Sequence, residues 1–176
     1  MIPVRVMEQA RQIQLLILDV DGVLTDGKLF FDHLGNEFKA FHARDGHGIK
    51  MLQQTGVEIA VISGRESFIV TKRMEELDVT LVYQNQRDKR AAFADLLQKL
   101  DLTPEQVAYV GDDVVDLPIM TQVGLAIAVA DASEAVIACA DWTTTLGGGL
   151  GAVREVCDMI MQSQDNFETI LADYLQ

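Results

Sequence analysis

LLILDVDGVLTD, residues 15–26, is the stretch from which the rest of the chain can be read. Leu15 to Leu18 form a continuous apolar run, as a strand covered on both faces does, and the run stops at Asp19-Val20-Asp21-Gly22. In extended chain the side chains of Asp19 and Asp21 would share a face. Gly22 lets the chain turn, so the two carboxylates can diverge and take different tasks, one attacking while the other moves a proton. Taken alone, D-x-D at a strand end is equally a capped turn, and the remainder of the chain has to decide.

The 176 residues, 49% of them hydrophobic, suffice for one sizeable core and predict a single domain over 1–176. A net charge of −13 with a pI near 4.4 argues against a nucleic-acid partner, which needs a basic face to release counterions. A phosphorylated small molecule remains open. MIPVRVMEQARQ lacks a signal-peptide core, and no apolar run approaches the length that crosses a bilayer, so the expectation is a cytoplasmic protein without membrane contact. Cys139 and Cys157 lack metal-ligand spacing and read as buried free thiols. His33, His42 and His47 have no partner at metal-site spacing and read as structural or solvent-facing.

KLFFDHLGNEFKAF, residues 28–41, alternates about His33-Leu34-Gly35-Asn36 as a hairpin does, and its phenylalanines call for a covering surface. Asp45 is placed to cap a helix ending at Gly56. VEIAVIS follows as a second buried strand and ends in Ser63-Gly64-Arg65. A helix over about 67–77 leads to a third strand, VTLVYQ, and then to Lys89 at the head of another helix. A cation there opposes the macrodipole and hints at an anionic neighbour. Thr103-Pro104-Glu105-Gln106 carries a capping box before VAYVG, a fourth strand that runs into Gly111-Asp112-Asp113, with Asp116 beyond. GLAIAVA and ADWTTT suggest two more strands about a short helix. GGGLG, residues 147–151, lacks the Lys-Ser/Thr of a phosphate loop and reads as a mobile hinge before helix AVREVCDMIM.

Strands alternating with helices predict an α/β fold, a Rossmann-like and mainly parallel sheet, whose ligand site lies beyond the carboxyl ends of the strands. Asp19 with Asp21, Ser63, Lys89, and Asp112 with Asp116 each follow a strand, so they should converge. Such a carboxylate cluster is self-repelling, with each pair at 4 Å costing about 4 kcal/mol at an effective dielectric near 20. Oxygen ligands without histidine or cysteine call for a hard divalent ion, and magnesium, which accepts a substrate phosphate, suits the set best. With Lys89 adding positive charge, the chemistry indicated is phosphoryl transfer through an aspartyl-phosphate. A receiver-like signalling domain uses similar groups, but its phosphoacceptor ends the third strand, where this chain has Tyr83-Gln84-Asn85. A non-catalytic sugar-sensing module would have no need of both Asp19 and Asp21.

DVDGVLTD, Ser63, Lys89 and GDDVVD, in that order, resemble the four motifs of the haloacid dehalogenase superfamily of phosphatases. The resemblance implies Asp19 as nucleophile, Asp21 as general acid and base, and Ser63 with Lys89 as phosphate-binding groups. It implies magnesium held by Asp19, Asp112 and the backbone carbonyl of Asp21. Asp116 would orient Lys89 or a metal-bound water, with Asp113 in a supporting place. From about residue 13 to 160, ARDGHGIKML, VISGR, AYVGDDVVDLPIM, AVADA and GGGLGAVREVCD are similar to the subfamily acting on the octulosonate 8-phosphate of lipopolysaccharide biosynthesis. Phosphatases of nine-carbon sialic-type acid 9-phosphates share most of these motifs and are the alternative. A sugar acid carries a carboxylate beside its phosphate. Arg65, after Ser63-Gly64, is the first candidate to read it and Arg44 the second.

From Asp19 to Ser63 is 44 positions and from Ser63 to Lys89 is 26, and the expected elements fill both. Neither interval holds the cap domain that closes many superfamily sites. A bare pocket beside a phenylalanine-rich hairpin predicts closure by a neighbouring subunit, and the resemblance to capless members implies a homotetramer. The segment after GGGLG is a further candidate to reach a neighbour's site.

Overall fold

The computed structural model describes residues 2–175; Met1 and Gln176, the ends of the expected single domain, lie outside the described residues. In chain order the elements are α1 (Val4–Ala10), β1 (Leu15–Leu18), β2 (Phe30–Phe31), β3 (Glu37–Phe38), α2 (Ala43–Gln53), β4 (Glu58–Ile62), α3 (Phe68–Glu76) and β5 (Leu81–Tyr83). There follow α4 (Arg90–Leu100), β6 (Val107–Gly111), α5 (Leu117–Met120), β7 (Leu125–Ala128), α6 (Glu134–Cys139), β8 (Trp142–Thr143), α7 (Ala152–Ser163) and α8 (Phe167–Asp173). Six strands form one parallel sheet in the order β5-β4-β1-β6-β7-β8, and β2 pairs with β3 as a separate antiparallel hairpin. The predicted α/β architecture is the one observed, and the intervals between the motifs hold no cap.

Alternation along each strand divides the core in two. Leu16, Leu18, Ile59, Val61, Val110 and Ile127 face one side, with Val6 and Ala10 of α1, Ile49 and Leu52 of α2, and Val156 and Ile160 of α7. Leu15, Ile17, Ala60, Ile62, Tyr109 and Ala126 face the other, with Phe93 and Leu96 of α4 and Ile119 of α5. Leu15 to Leu18 are all fully buried. At about 1.5–3 kcal/mol for each side chain withdrawn from water, four residues are enough to anchor the turn that follows. Leu18 lies opposite Val61 on one side and Val110 on the other, so the residues after β1, β4 and β6 emerge at one edge.

Three readings need correction. Asp45 does not cap its own helix: it lies inside α2, where His42 is the N-cap. Its buried Oδ1 accepts the Arg154 N–H at 2.8 Å, in the first turn of α7, so it caps a helix 109 positions away. GGGLG is not a hinge. Gly149 donates its N–H to the Val23 carbonyl at 2.9 Å, and a Cβ on Gly148 would stand 1.7 Å from the Gly22 carbonyl oxygen. Only glycine allows that approach. The segment beyond it begins with α7, whose Val156 and Ile160 pack into the core. Cys157 is buried, but Cys139 is only half-buried. Helix α1, unassigned by sequence reading, starts after Pro3 and buries Val6 and Ala10 one turn apart.

Candidate active site

The chain leaves β1 in a tight turn over Val20–Leu24, with Gly22 at φ 101, and the two carboxylates diverge there as the D-x-D spacing allowed. A Cβ at Gly22 would lie 2.1 Å from Asp112 Oδ2, so the bare glycine also admits the carboxylate that follows β6. Asp19 points to Lys89, whose Nζ donates to Asp19 Oδ1 at 2.6 Å, to Asp116 Oδ1 at 2.7 Å and to the Tyr109 hydroxyl at 3.0 Å. All three ammonium donors are used. Burial alone would lower the Lys89 pKa, yet Asp19 and Asp116 more than offset it and the net shift is upward. The lysine is held as a cation inside the protein.

Asp116, fully buried, has every acceptor direction occupied. Oδ1 takes Lys89 and the Tyr109 hydroxyl, the latter at 2.6 Å, while Oδ2 takes the backbone N–H of Asp112 at 3.0 Å and of Asp113 at 3.3 Å. Asp113 is exposed, and its carboxylate accepts the Val114 N–H at 2.8 Å as a local cap. That leaves Asp19 and Asp112 with free lone pairs. One carboxylate oxygen from each of Asp19, Asp112 and Asp116 lies within 4.8 Å of the others, and the two that keep free lone pairs, Asp19 and Asp112, are oxygen ligands that fit a hard divalent cation. The acidities agree. Burial first, then Asp19, Asp116 and Asp113, push Asp112 up to about 8. Burial first, with Asp116 adding to it against Lys89, raises Asp19 to about 6. Both shifts say that ionising the two carboxyls is costly there, chiefly because they are withdrawn from water.

Ser63 is buried just past the end of β4. Its N–H donates to the Tyr83 carbonyl at 2.8 Å, and its Oγ accepts the Arg65 N–H at 3.2 Å, which ties the Ser63-Gly64-Arg65 loop down. Arg65 turns to the hairpin, donating to Glu37 Oε1 at 2.8 Å, with its Nε 3.6 Å from Asp21 Oδ2. Arg44 lies exposed in the first turn of α2, and no ion pair among the described residues joins it to the cluster.

Over residues 80–147 the chain matches the haloacid dehalogenase-like hydrolases. It is 50% identical over 163 residues, 93% of this chain and 87% of the relative, to the 3-deoxy-D-manno-octulosonate 8-phosphate phosphatase of Escherichia coli (strain B / BL21-DE3). The chain belongs to this phosphatase family. The crystal structure of the Yersinia pestis phosphatase of that name is similar at TM-score 0.93 and 47% identity, covering 94% of this chain and 89% of that one. The Moraxella catarrhalis phosphatase, solved with magnesium ion, phosphate ion and KDO, has TM-score 0.94 and 40% identity over 96% of this chain and 97% of that one.

In this member of the phosphatase family, sequence reasoning passed over two residues of the cluster. Tyr109 sits mid-strand in VAYVG, where it reads as one more apolar side chain. Its position on the strand next to β1, facing the side where Lys89 arrives, is the only signal. Lys39 leaves the hairpin to put its Nζ 2.5 Å from Asp21 Oδ1. It is one of several charged residues on that ribbon, and nothing local separates it from the rest.

Proposed function

We propose that this chain is a magnesium-dependent phosphatase that hydrolyses 3-deoxy-D-manno-octulosonate 8-phosphate to the free sugar acid and phosphate. The observation that carries the reading is 50% identity over 93% of the chain to a phosphatase of that substrate, and the Lys89–Asp19 geometry is the chemistry it requires. Asp19 is the nucleophile: its carboxylate oxygen bonds to phosphorus as the bond from phosphorus to the sugar oxygen breaks. Asp21 gives that oxygen a proton, then takes one from the water that cleaves the aspartyl-phosphate. Lys89 and Ser63, with the backbone at Gly64, hold phosphate oxygens. Asp116 and Tyr109 hold Lys89. Asp19, Asp112 and the Asp21 carbonyl are the residues that would hold magnesium, which when bound supplies charge against the phosphate. Arg65 is the cation placed to read the sugar carboxylate, and the exposed Arg44 is a weaker candidate for it.

Asp19→Asn keeps the shape and removes the nucleophile, so turnover should vanish while the thermal melt stays within a few degrees of wild type. A variant that still hydrolyses the substrate at the wild-type rate would remove the assignment. A panel of octulosonate 8-phosphate, nine-carbon acid 9-phosphates and neutral hexose phosphates tests the substrate. Equal rates on all would leave a phosphatase without this specificity.

The same reading includes a homotetramer in which a neighbour closes the site. Phe30, Phe31, Leu34 and Phe38 are 49%, 56%, 76% and 56% exposed on one small hairpin. Val114 and Val115, between Asp112 and Asp116, and Leu150, beside the glycines on Gly22, are exposed too, so ribbon and pocket rim both offer apolar surface. Light scattering checks the assembly, and charged replacements at Phe30 and Phe38 should break it with loss of turnover. The two free cysteines suit a reducing, cytoplasmic setting, and among the described residues no helix is long and apolar enough to cross a membrane.

A further inference from the structure

The hairpin touches Asp21 through one face. Side chains alternate along an extended chain, so Glu37 and Lys39 turn one way and Phe38 the other. Phe38 is 56% exposed, while the side chain of Lys39 is only 2% exposed. Lys39 Nζ lies 2.5 Å from Asp21 Oδ1 and 3.2 Å from Glu37 Oε1. Glu37 in turn accepts from Ser67 Oγ at 2.7 Å and from Arg65 Nη2 at 2.8 Å. Two carboxylates, two cations and a hydroxyl thus interleave three segments: the turn after β1, the hairpin, and the loop after β4.

A lysine drawn this far out of water is stable only while its acceptors stay in place, because an uncompensated buried charge costs several kcal/mol. The reverse also holds: Asp21 has no other partner as close, and its direction follows Lys89's neighbour Asp19 only through the backbone. With only two residues per strand, β2–β3 cannot stand alone. Its seating depends on this ionic lattice, and the aim of Asp21 depends on its seating.

We propose that Lys39, seated by Glu37, is a positioning residue of the phosphatase reaction that fixes the direction in which Asp21 presents its carboxyl to the leaving oxygen. This rests on the reading of Asp21 as proton donor. In the first half-reaction the Asp19–phosphorus bond forms, the bond from phosphorus to the sugar oxygen breaks, and the Asp21 proton passes to that oxygen. A sugar alkoxide needs this proton, while a nitrophenolate, stable as an anion, leaves without it. A misdirected Asp21 therefore harms the two substrates unequally, and general disorder of the site harms both.

The test compares kcat/KM, which covers events up to departure of the leaving group, on octulosonate 8-phosphate and on p-nitrophenyl phosphate. Lys39→Met should lose about 30–100-fold on the sugar phosphate, up to the lower limit of what a positioned acid supplies because Asp21 is misdirected and not removed, and only a few-fold on the nitrophenyl ester. Lys39→Arg should recover most of the loss, and Glu37→Gln should shift the ratio in the same direction by less. Inhibition by the free sugar acid should be unchanged in Lys39→Met. Equal losses on both substrates would overturn the proposal, as would weakened inhibition by the sugar acid, which would make Lys39 a substrate ligand. Asp21→Asn measured alongside separates the two readings. If it too loses equally on both esters, the proton-donor role of Asp21 falls. If it is selective and Lys39→Met is not, only the role given to Lys39 falls. Should Lys39→Met not fold, Glu37→Gln carries the same comparison.

Discussion

Gly148→Ala distinguishes a hinge from a wedge. Alanine is conformationally acceptable at this position, so its effect is steric. The new methyl would stand 1.7 Å from the Gly22 carbonyl oxygen, 2.4 Å from the Gly22 carbonyl carbon and 2.9 Å from the Thr25 carbonyl oxygen. All three are backbone atoms that cannot rotate away. A comfortable separation is about 3.5 Å, so the glycine segment and the catalytic turn must part by roughly 2 Å. Overpacking of this kind costs about 1–3 kcal/mol, and for a chain of this size 2 kcal/mol lowers Tm by about 4–8 °C. Because the turn that moves carries Asp19 and Asp21, the proposed nucleophile and proton donor, kcat should fall by about 100-fold, a loss that a displacement of one ångström can produce. A thermal melt and steady-state rates on the sugar phosphate read both effects. A Tm within 1 °C of wild type together with kcat within twofold would refute the packing argument and restore the hinge.

Tyr109→Phe removes an acceptor of Lys89 and a donor to Asp116 while keeping the ring in the core, so kcat should drop about 5–10-fold, the worth of about 1–1.5 kcal/mol of hydrogen bonding, with little change in KM. Metal removal should be pH-sensitive. The folded-state pKa values of Asp19 (about 6) and Asp112 (about 8) lie above the ordinary 3.8, so the metal-free fold is favoured below about pH 4 and loses that contribution as pH rises through 6 and then 8. The Tm of EDTA-treated protein should fall between pH 5 and 9, and magnesium should restore more at pH 9 than at pH 5; an equal increment at both would count against these two carboxylates as the metal's ligands. Asp45→Ala takes the cap from α7 and should lower stability by about 1 kcal/mol, read as denaturant midpoint, with Asp45→Asn less harmful because the amide oxygen still accepts.

The parts legible in the sequence were those with a local or one-dimensional signature. Apolar runs of four or five residues ending in Asp, Ser or Gly-Asp-Asp mark buried parallel strands, and the parallel rule then brings Asp19, Ser63 and Asp112 to one edge with no knowledge of packing. The parts that were not legible depend on what lies across a gap. Glycine at 148 signals either freedom or close approach, and only the Gly22 backbone opposite it decides which. Asp45 has the local look of a cap, but its partner N–H is on Arg154. Tyr109 is chosen for the hydroxyl it offers Lys89, although along the strand its bulk reads like that of its apolar neighbours. For Lys39 the decisive fact is a buried side chain on a ribbon whose phenylalanines are exposed, which alternation allows but does not single out.

An acidic protein with an anionic substrate has to solve a problem of sign. Carboxylates at about 4 Å repel by about 4 kcal/mol per pair at an effective dielectric near 20, and a phosphate brought among Asp19, Asp112 and Asp116 would add to that. The fold answers in two ways. It spends the charge of Asp116 internally, on Lys89, Tyr109 and two backbone N–H groups, so only Asp19 and Asp112 remain to face the pocket. It also brings three of its 14 basic residues, Lys39, Arg65 and Lys89, to the mouth of the sheet, each paired with a carboxylate. A net charge of −13 therefore describes the surface as a whole and not the field at Asp19. The remaining deficit sits between Asp19 and Asp112, which is where a divalent ion would let the proposed nucleophile and a phosphate share one site.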